Sequence, residues 1–231
     1  MRDALLELVP DSAVHVRLRG LLLSPEAEVT SSSSAGGVAL LGEVGAIVGA
    51  PSPDALGHAA ASHATTFWAR RPWPTVAAAW ERVQVAVLKP SEDAGDPSDL
   101  DPRPDRTRLA FVDAMEALDG GGVLDGVRVL DGGGALDRAY AHAWSVLTDA
   151  EARSVGYVVA QTEGFAALAL ATREDRRRRG AASRIAHALA SRLLDEGRVA
   201  VVFATDSDRV AASFVEALGA TPAGTLWVAR R

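Results

Sequence analysis

The chain contains no cysteine, which removes disulfides, thiolate nucleophiles and cysteine metal sites from consideration. It has almost no lysine: of 24 basic residues only Lys89 is one, and with so much alanine this reads as compositional bias without functional meaning. No run of about eighteen apolar residues free of charge occurs, so no transmembrane helix is expected. The opening MRDALLELVPDSAVHVRLRG places acidic residues early and offers no apolar core before a small-residue cleavage site. No secretory leader is expected, and the expected location is the cytoplasm. A global basic field is missing as well, since net charge is −6 and the sequence pI about 5.4. Neither nucleic acid nor membrane is therefore an expected partner. His15, His58 and His63 show no metal-ligand spacing with carboxylates, and no metal is predicted.

What remains describes an ordinary globular chain of 231 residues, 48% hydrophobic and 23% charged. Lys89–Arg106 (KPSEDAGDPSDLDPRPDR) is rich in Pro, Asp and Ser and has little to bury. It is read as a linker, with an N-terminal α+β part over 1–106 and a second part over 107–231. In the first part, Ser31–Gly37 reads as a flexible turn or short loop and Val38–Val48 as a strand pair. Pro53–His63 and Pro72–Arg82 read as helices, and Val83–Leu88 as a strand. In the second part, helices are expected at Thr107–Leu118, Leu136–Leu147, Arg179–Asp195 and Val210–Leu218. Strands are expected at Val127–Leu130, Val155–Gln161, Phe165–Thr172, Ala200–Ala204 and Leu226–Ala229. The two around Thr162-Glu163-Gly164 make a hairpin. The fold class is α/β (α+β).

The stretch from Leu168 to Arg184 carries the most chemical information. A buried strand runs into the basic turn Arg176–Arg179, and Gly180, Ala181, Ala182 and Ser183 then open a long amphipathic helix. Small residues admit a ligand close to the backbone. A helix start leaves amides without partners and a positive dipole end, which suits a pyrophosphate, and arginines add charge-assisted hydrogen bonds. A plain solvated basic turn is the competing reading of the same residues.

Arg177-x-x-Gly180-x-Ala182, after a strand and before an amphipathic helix, resembles the acyl-CoA signature of the GNAT superfamily of N-acetyltransferases. The strand Ala200–Ala204, the helix Val210–Leu218 and its close at Leu218-Gly219 resemble that family's second motif. The resemblance covers roughly residues 127–231. It implies a mixed, twisted sheet flanked by helices and splayed to admit acyl-CoA, with acetyl-CoA as co-substrate and an amine as acceptor. It places the pyrophosphate on Arg177, Arg178, Arg179, Gly180, Ala181, Ala182 and Ser183. The pantetheine arm falls along Ala169, Leu170, Ala171 and Thr172, and Asp208 stands where the family often has an asparagine near that arm. Where many members have a proton-donating tyrosine, this chain has Val215, which cannot donate. The catalytic acid and base are therefore unassigned, with Glu163, Glu151, His142 and Ser213 as candidates by neighbourhood. A non-catalytic acyl-CoA-binding protein is the alternative that Val215 supports.

The N-terminal part carries no readable motif; a degenerate copy of the same fold is one reading, since tandem arrangements occur in the GNAT superfamily. It lacks the Arg/Gln-x-x-Gly-x-Gly/Ala turn and so is not expected to bind CoA; it is expected to shape the acceptor site or to make a homodimer contact. Trp68, Trp73 and Trp80 read as core or inter-domain packing, with an acceptor-pocket wall as the alternative. The negative net charge leans toward a cationic acceptor.

Overall fold

A computed structural model describes residues 2–91, 101–102, 147–148, 154–172 and 178–231. Strands β1 (Glu28–Ser33), β2 (Gly36–Leu41) and β3 (Val44–Gly49) form a meander. Helix α3 (Pro53–Ala61) then leads to β4 (Thr66–Ala69), which is parallel to β3. Strand β5 (Glu81–Leu88) follows. After the short β6 (Asp101–Pro102) and β7 (Leu147–Thr148), the hairpin β8 (Ser154–Gln161) and β9 (Phe165–Thr172) leads through α4 (Ala181–Asp195) to β10 (Val199–Thr205), parallel to β9. Helix α5 (Arg209–Ala217) and β11 (Thr221–Arg230) close the chain. Two further helices, α1 (Arg2–Glu7) and α2 (Val16–Leu23), precede β1.

One element order therefore occurs twice: hairpin, helix, parallel strand, then one more strand. The last strand of each copy is exchanged. β5 pairs with β10 of the second copy, β11 pairs with β4 of the first, and β5 and β11 pair with each other. The result is one eleven-stranded mixed sheet, ordered β1-β2-β3-β4-β11-β5-β10-β9-β8-β7-β6.

Strand alternation sends successive side chains to opposite faces, and the apolar clusters follow it. Val83, Val85, Val201, Trp68 and Val228 point to the face covered by α1 and α2. Ala86, Leu88, Ala200 and Val202 meet Ile185, Leu189 and Leu193 of α4 on the other face. Further along that second face, Ile47, Phe67 and Ala229 meet Ala55, Leu56 and Ala59 of α3. Close approach is built in where the helices touch. A Cβ on Gly156 of β8 would lie 2.4 Å from Ile185 Cγ2, and one on Gly20 of α2 would lie 3.1 Å from Ala160 Cβ.

Several sequence readings need correction. Ser31–Gly37 does hold a turn, but only over Ser34 and Ala35; its flanks belong to β1 and β2, because serines sustain a strand once Gly36 and Gly37 lie against a neighbouring backbone. Pro72–Arg82 is not a helix. Trp73 and Trp80 fold onto the α3 cluster, the Trp80 indole N–H donates to Trp73 O (3.2 Å) and Ala77 O (3.1 Å), and Glu81 and Arg82 already belong to β5. The final strand runs over Thr221–Arg230, well beyond Leu226–Ala229, because a register shift between Pro222 and Gly224 accommodates residues that read as a turn. Leu147 opens β7 instead of ending a helix. The helix expected at Thr107–Leu118, the strand at Val127–Leu130 and residues 136–146 lie outside the described residues.

Candidate functional site

The parallel pairing of β9 with β10 covers only Phe165↔Val199, Ala166↔Ala200 and Ala167↔Val201. Beyond it, β9 continues to Thr172 and β10 to Thr205 with no pairing between them. The two strands thus splay toward their carboxyl ends. Among the described residues the edge of β9 over Leu168–Thr172 that faces away from β8 has no strand partner, which leaves Ala169, Leu170, Ala171 and Thr172 on an open backbone edge. A bulge at Val159 of β8 lies opposite the Ala167–Leu168 step, where the splay begins; bulges bend a strand and increase its twist. The Ser154 hydroxyl donates to Thr172 Oγ1 at 3.0 Å and ties the far end of β9 to β8.

At the carboxyl end of β9 stands the start of α4. Gly180 is its N-cap with φ +77°, no side chain caps the helix, and its first turn holds no acidic residue. Intrahelical bonding begins with Arg184 N–H to Gly180 O at 3.0 Å, so among the described residues the amides of Ala181, Ala182 and Ser183 are the bare ones. Arg178 just before it has φ +64°, an uncommon conformation for a residue with a side chain, and Arg178, Arg179 and Gly180 are all exposed. Nothing lies within 4 Å of where a Gly180 Cβ would be. These residues fit an anionic group: bare amides, two arginines and a positive dipole end meet in open space. Arg177 lies outside the described residues.

The N-terminal copy lacks both features. β3 and β4 pair along the whole of β4, from Val44↔Thr66 to Ile47↔Ala69. The α3 start is occupied, with Ser52 Oγ accepting from Ala55 N–H at 3.2 Å and Pro53 in the first turn.

The catalytic candidates separate. Glu163 sits in the β8–β9 turn, at the opposite end of β9 from α4, roughly 25 Å away for an eight-residue strand. It accepts two hydrogen bonds from Arg19, Nε at 2.9 Å and Nη2 at 2.7 Å, and these hold its carboxyl down at about 2. The turn is also clamped by Asp11, which accepts from Thr162 Oγ1 (2.5 Å) and Gly164 N–H (2.7 Å). The structure thus does not bring Glu163 to the splay. Ser213 is exposed on α5, and Val215 packs against the α4 cluster. Asp208 caps α5, its Oδ1 accepting from Ala211 N–H at 2.9 Å. Glu151 and His142 lie outside the described residues. His187 is buried on α4 with Nδ1 3.2 Å from Lys89 O, a structural contact.

Sequence reasoning noted Asp206 only as a neighbour of Val215 in sequence and did not foresee the polar rim it joins at the carboxyl end of β10. Asp206 accepts from Arg82 Nε (2.7 Å) and Gln84 Nε2 (2.9 Å), and the Gln84 and Arg82 bonds hold it below the usual carboxylate range. Burial alone would raise Glu81; hydrogen bonds from Ser207 and Thr205, with Arg230 at 3.5 Å, outweigh it and leave it lowered. No single-chain signal pairs residues 81–84 with 205–207, since only the strand exchange brings β5 beside β10. Among the described residues no group of three or more His, Asp or Glu could hold a metal ion, and no helix is long and apolar enough to cross a membrane.

A parallel pair splayed around an uncapped helix start, within a mixed twisted sheet, is the fold of the GNAT superfamily. Residues 145–228 match the family described as FR47-like protein. A GCN5-related N-acetyltransferase-like protein from Streptococcus suis is similar in structure, with TM-score 0.61 and 16% identity over 100% of this chain and 98% of that one. A tandem GNAT protein from the clavulanic acid biosynthesis pathway has TM-score 0.53 and 13% identity over 99% and 93%. A GNAT-family acetyltransferase from Colwellia psychrerythraea has TM-score 0.53 and 14% identity over 90% and 87%. No curated protein matches the chain.

Proposed function

We propose that this protein is an acetyl-CoA-dependent N-acetyltransferase that transfers an acetyl group to an amine acceptor by direct attack. One observation carries the reading: the chain contains two copies of a strand–helix–strand unit, and only the second combines an open splay with a bare helix start. The amides of Arg178 to Ala182, with Arg177, Arg178 and Arg179, would hold the pyrophosphate. The unpaired edge Ala169–Thr172 would hold the pantetheine arm by strand-like hydrogen bonds, with Ser183 and Asp208 at the margins.

Acetyl-CoA supplies the activated acyl group. The chain's residues bind and orient it, and open backbone donors on β9 polarise the carbonyl. In the transfer the amine nitrogen bonds to the acyl carbon, the carbon–sulfur bond breaks, and the proton lost by the amine balances the one taken up by the thiolate. No cysteine exists to form a covalent acyl-enzyme. We assign the N-terminal part, 1–106, to acceptor-site formation or a dimer contact, the acyl-CoA unit to 107–231, and the protein to the cytoplasm.

Thiol release from acetyl-CoA, followed in real time across an amine panel, tests the reading. Amine-dependent release supports it. Val215 favours a second reading, a non-catalytic acyl-CoA-binding protein, because no phenol stands at the position that often protonates the thiolate. Tight binding with no release for any amine would establish that reading instead.

A further inference from the structure

The inner end of the splay is closed where β9 last pairs with β10, at Ala167↔Val201, both 0% exposed. Just beyond that pair the two faces of the sheet differ. Toward α4, Leu168 of β9 and Val202 of β10 are buried in one apolar cluster with Ile185 and Leu189, and Leu170 packs against it. Toward α1 and α2, alternation turns Ala169 and Phe203 to the same face, where Phe203 packs against the cluster that holds Ala167 and Val201. Continuing the register past Ala167↔Val201 sets Ala169 and Phe203 on opposite sides of the gap, a methyl group against a benzyl group.

Phe203 is held from behind. Its ring meets Trp68 of β4 edge-on with centroids 5.9 Å apart, and the Arg17 guanidinium of α2 lies 4.9 Å from the Trp68 ring centroid. Trp68 is 1% exposed, and so is Val85, the cross-strand partner of Phe203 on β5. Phe203 itself is only half-buried. Its flanks toward β5 and Trp68 are covered; among the described residues no strand pairs on the flank toward β9, and the gap gives access to the ring there.

On the acyltransferase reading, the pantetheine arm runs along Ala169–Thr172 inward from the start of α4, which brings its thioester to the inner end of the gap. There the α4 face is filled by leucine, isoleucine and valine, and the last strand pair blocks advance along the sheet. The room left for an acyl chain lies over Ala169 and ends on the Phe203 ring. A ring backed by a close-packed interior yields little to added methylenes.

We propose that Phe203 is the floor of the acyl site and sets the length of acyl chain the protein takes: an acetyl group fits above the ring, and longer chains run into it. This rests on the acyltransferase reading and deepens it. The bare start of α4 and the open edge of β9 hold parts of the cofactor that every acyl-CoA shares, so neither selects among them. Trp68 stays in the core, as the packing reading of the tryptophans expects, and backs Phe203.

The test compares coenzyme A, acetyl-CoA, butyryl-CoA and hexanoyl-CoA on the full chain, by calorimetric affinity and by thiol release with an amine. The wild type is expected to bind acetyl-CoA at least about tenfold more tightly than hexanoyl-CoA, the discrimination that misfitting methylenes give in a closed apolar site. Phe203→Ala is expected to narrow that ratio to about one or to invert it, with the affinity for coenzyme A itself unchanged. Phe203→Leu should fall between. A ring with only a structural role would, when removed, weaken all four ligands alike and keep their order. A wild type that binds or uses hexanoyl-CoA as well as acetyl-CoA, or a Phe203→Ala variant that keeps the wild-type order, overturns the proposal and leaves the acyltransferase reading standing. A wild type that binds none of the four overturns that reading, and the proposal with it.

Discussion

At the residue scale, two backbone conformations before α4 shape the proposed site. Gly180 at φ +77° has open space around its Cα, so Gly180→Ala meets no clash and costs only the left-handed conformation. That is about 1 kcal/mol of stability, readable by urea denaturation, with coenzyme A affinity falling as well. Arg178 at φ +64° has the opposite balance. Arg178→Gly should raise stability by up to about 1 kcal/mol while weakening coenzyme A binding, because strain of this kind persists where a ligand uses it. Glu163 gives a pH prediction. Its folded carboxyl sits at about 2, below the unfolded value, so its contribution is present above the unfolded carboxylate range and lost as pH falls toward 2. The pair with Arg19 is open to water, so the contribution is held to about 1 kcal/mol or less. Glu163→Gln should therefore lower stability slightly at neutral pH, with the difference from the wild type vanishing as pH falls toward 2, and leave the pH dependence of kcat between pH 5 and 9 as in the wild type. A kcat that collapsed would return Glu163 to the catalytic candidates.

At the element scale, the described elements from Ser154 onward were legible and those of the first part much less so. The β8–β9 hairpin, α4, β10 and α5 follow their sequence patterns closely, because each has one clear period and a glycine or turn at its end. The turn Arg178–Ala182 was legible for the same reason: local sequence fixes a helix start. The helix expected at Pro72–Arg82 does not form, and Trp73 and Trp80 of that segment pack on α3 as the core-packing reading of the tryptophans expected. The polar rim of Asp206, Arg82 and Gln84 and the Arg17–Trp68 contact were not legible at all. They join residues more than fifty positions apart, and no local period encodes that. A direct test of the element packing lies at Gly156. A Cβ there would meet Ile185, Leu170 and Leu189 at 2.4, 2.9 and 3.0 Å. Gly156→Val should push α4 off β8, cost about 1–3 kcal/mol, and weaken coenzyme A binding although residue 156 touches no ligand.

For the whole molecule, the exchanged strands matter most. β5 completes the sheet beside β10 and β11 completes it beside β4, so neither copy has a full sheet without the other. Thermal unfolding should then be a single transition with equal calorimetric and van't Hoff enthalpies, whereas two separate transitions would show that the copies are independent. The exchange also explains why a copy with no ligand-binding turn is retained: it supplies β5 beside the open splay and Trp68 beneath it.

The most direct measurement is calorimetric titration with acetyl-CoA, run on the wild type and on an Arg177→Ala/Gly180→Glu double variant. Micromolar binding by the wild type, lost in the variant, is the predicted result. No binding by the wild type would contradict the acyltransferase account at its centre.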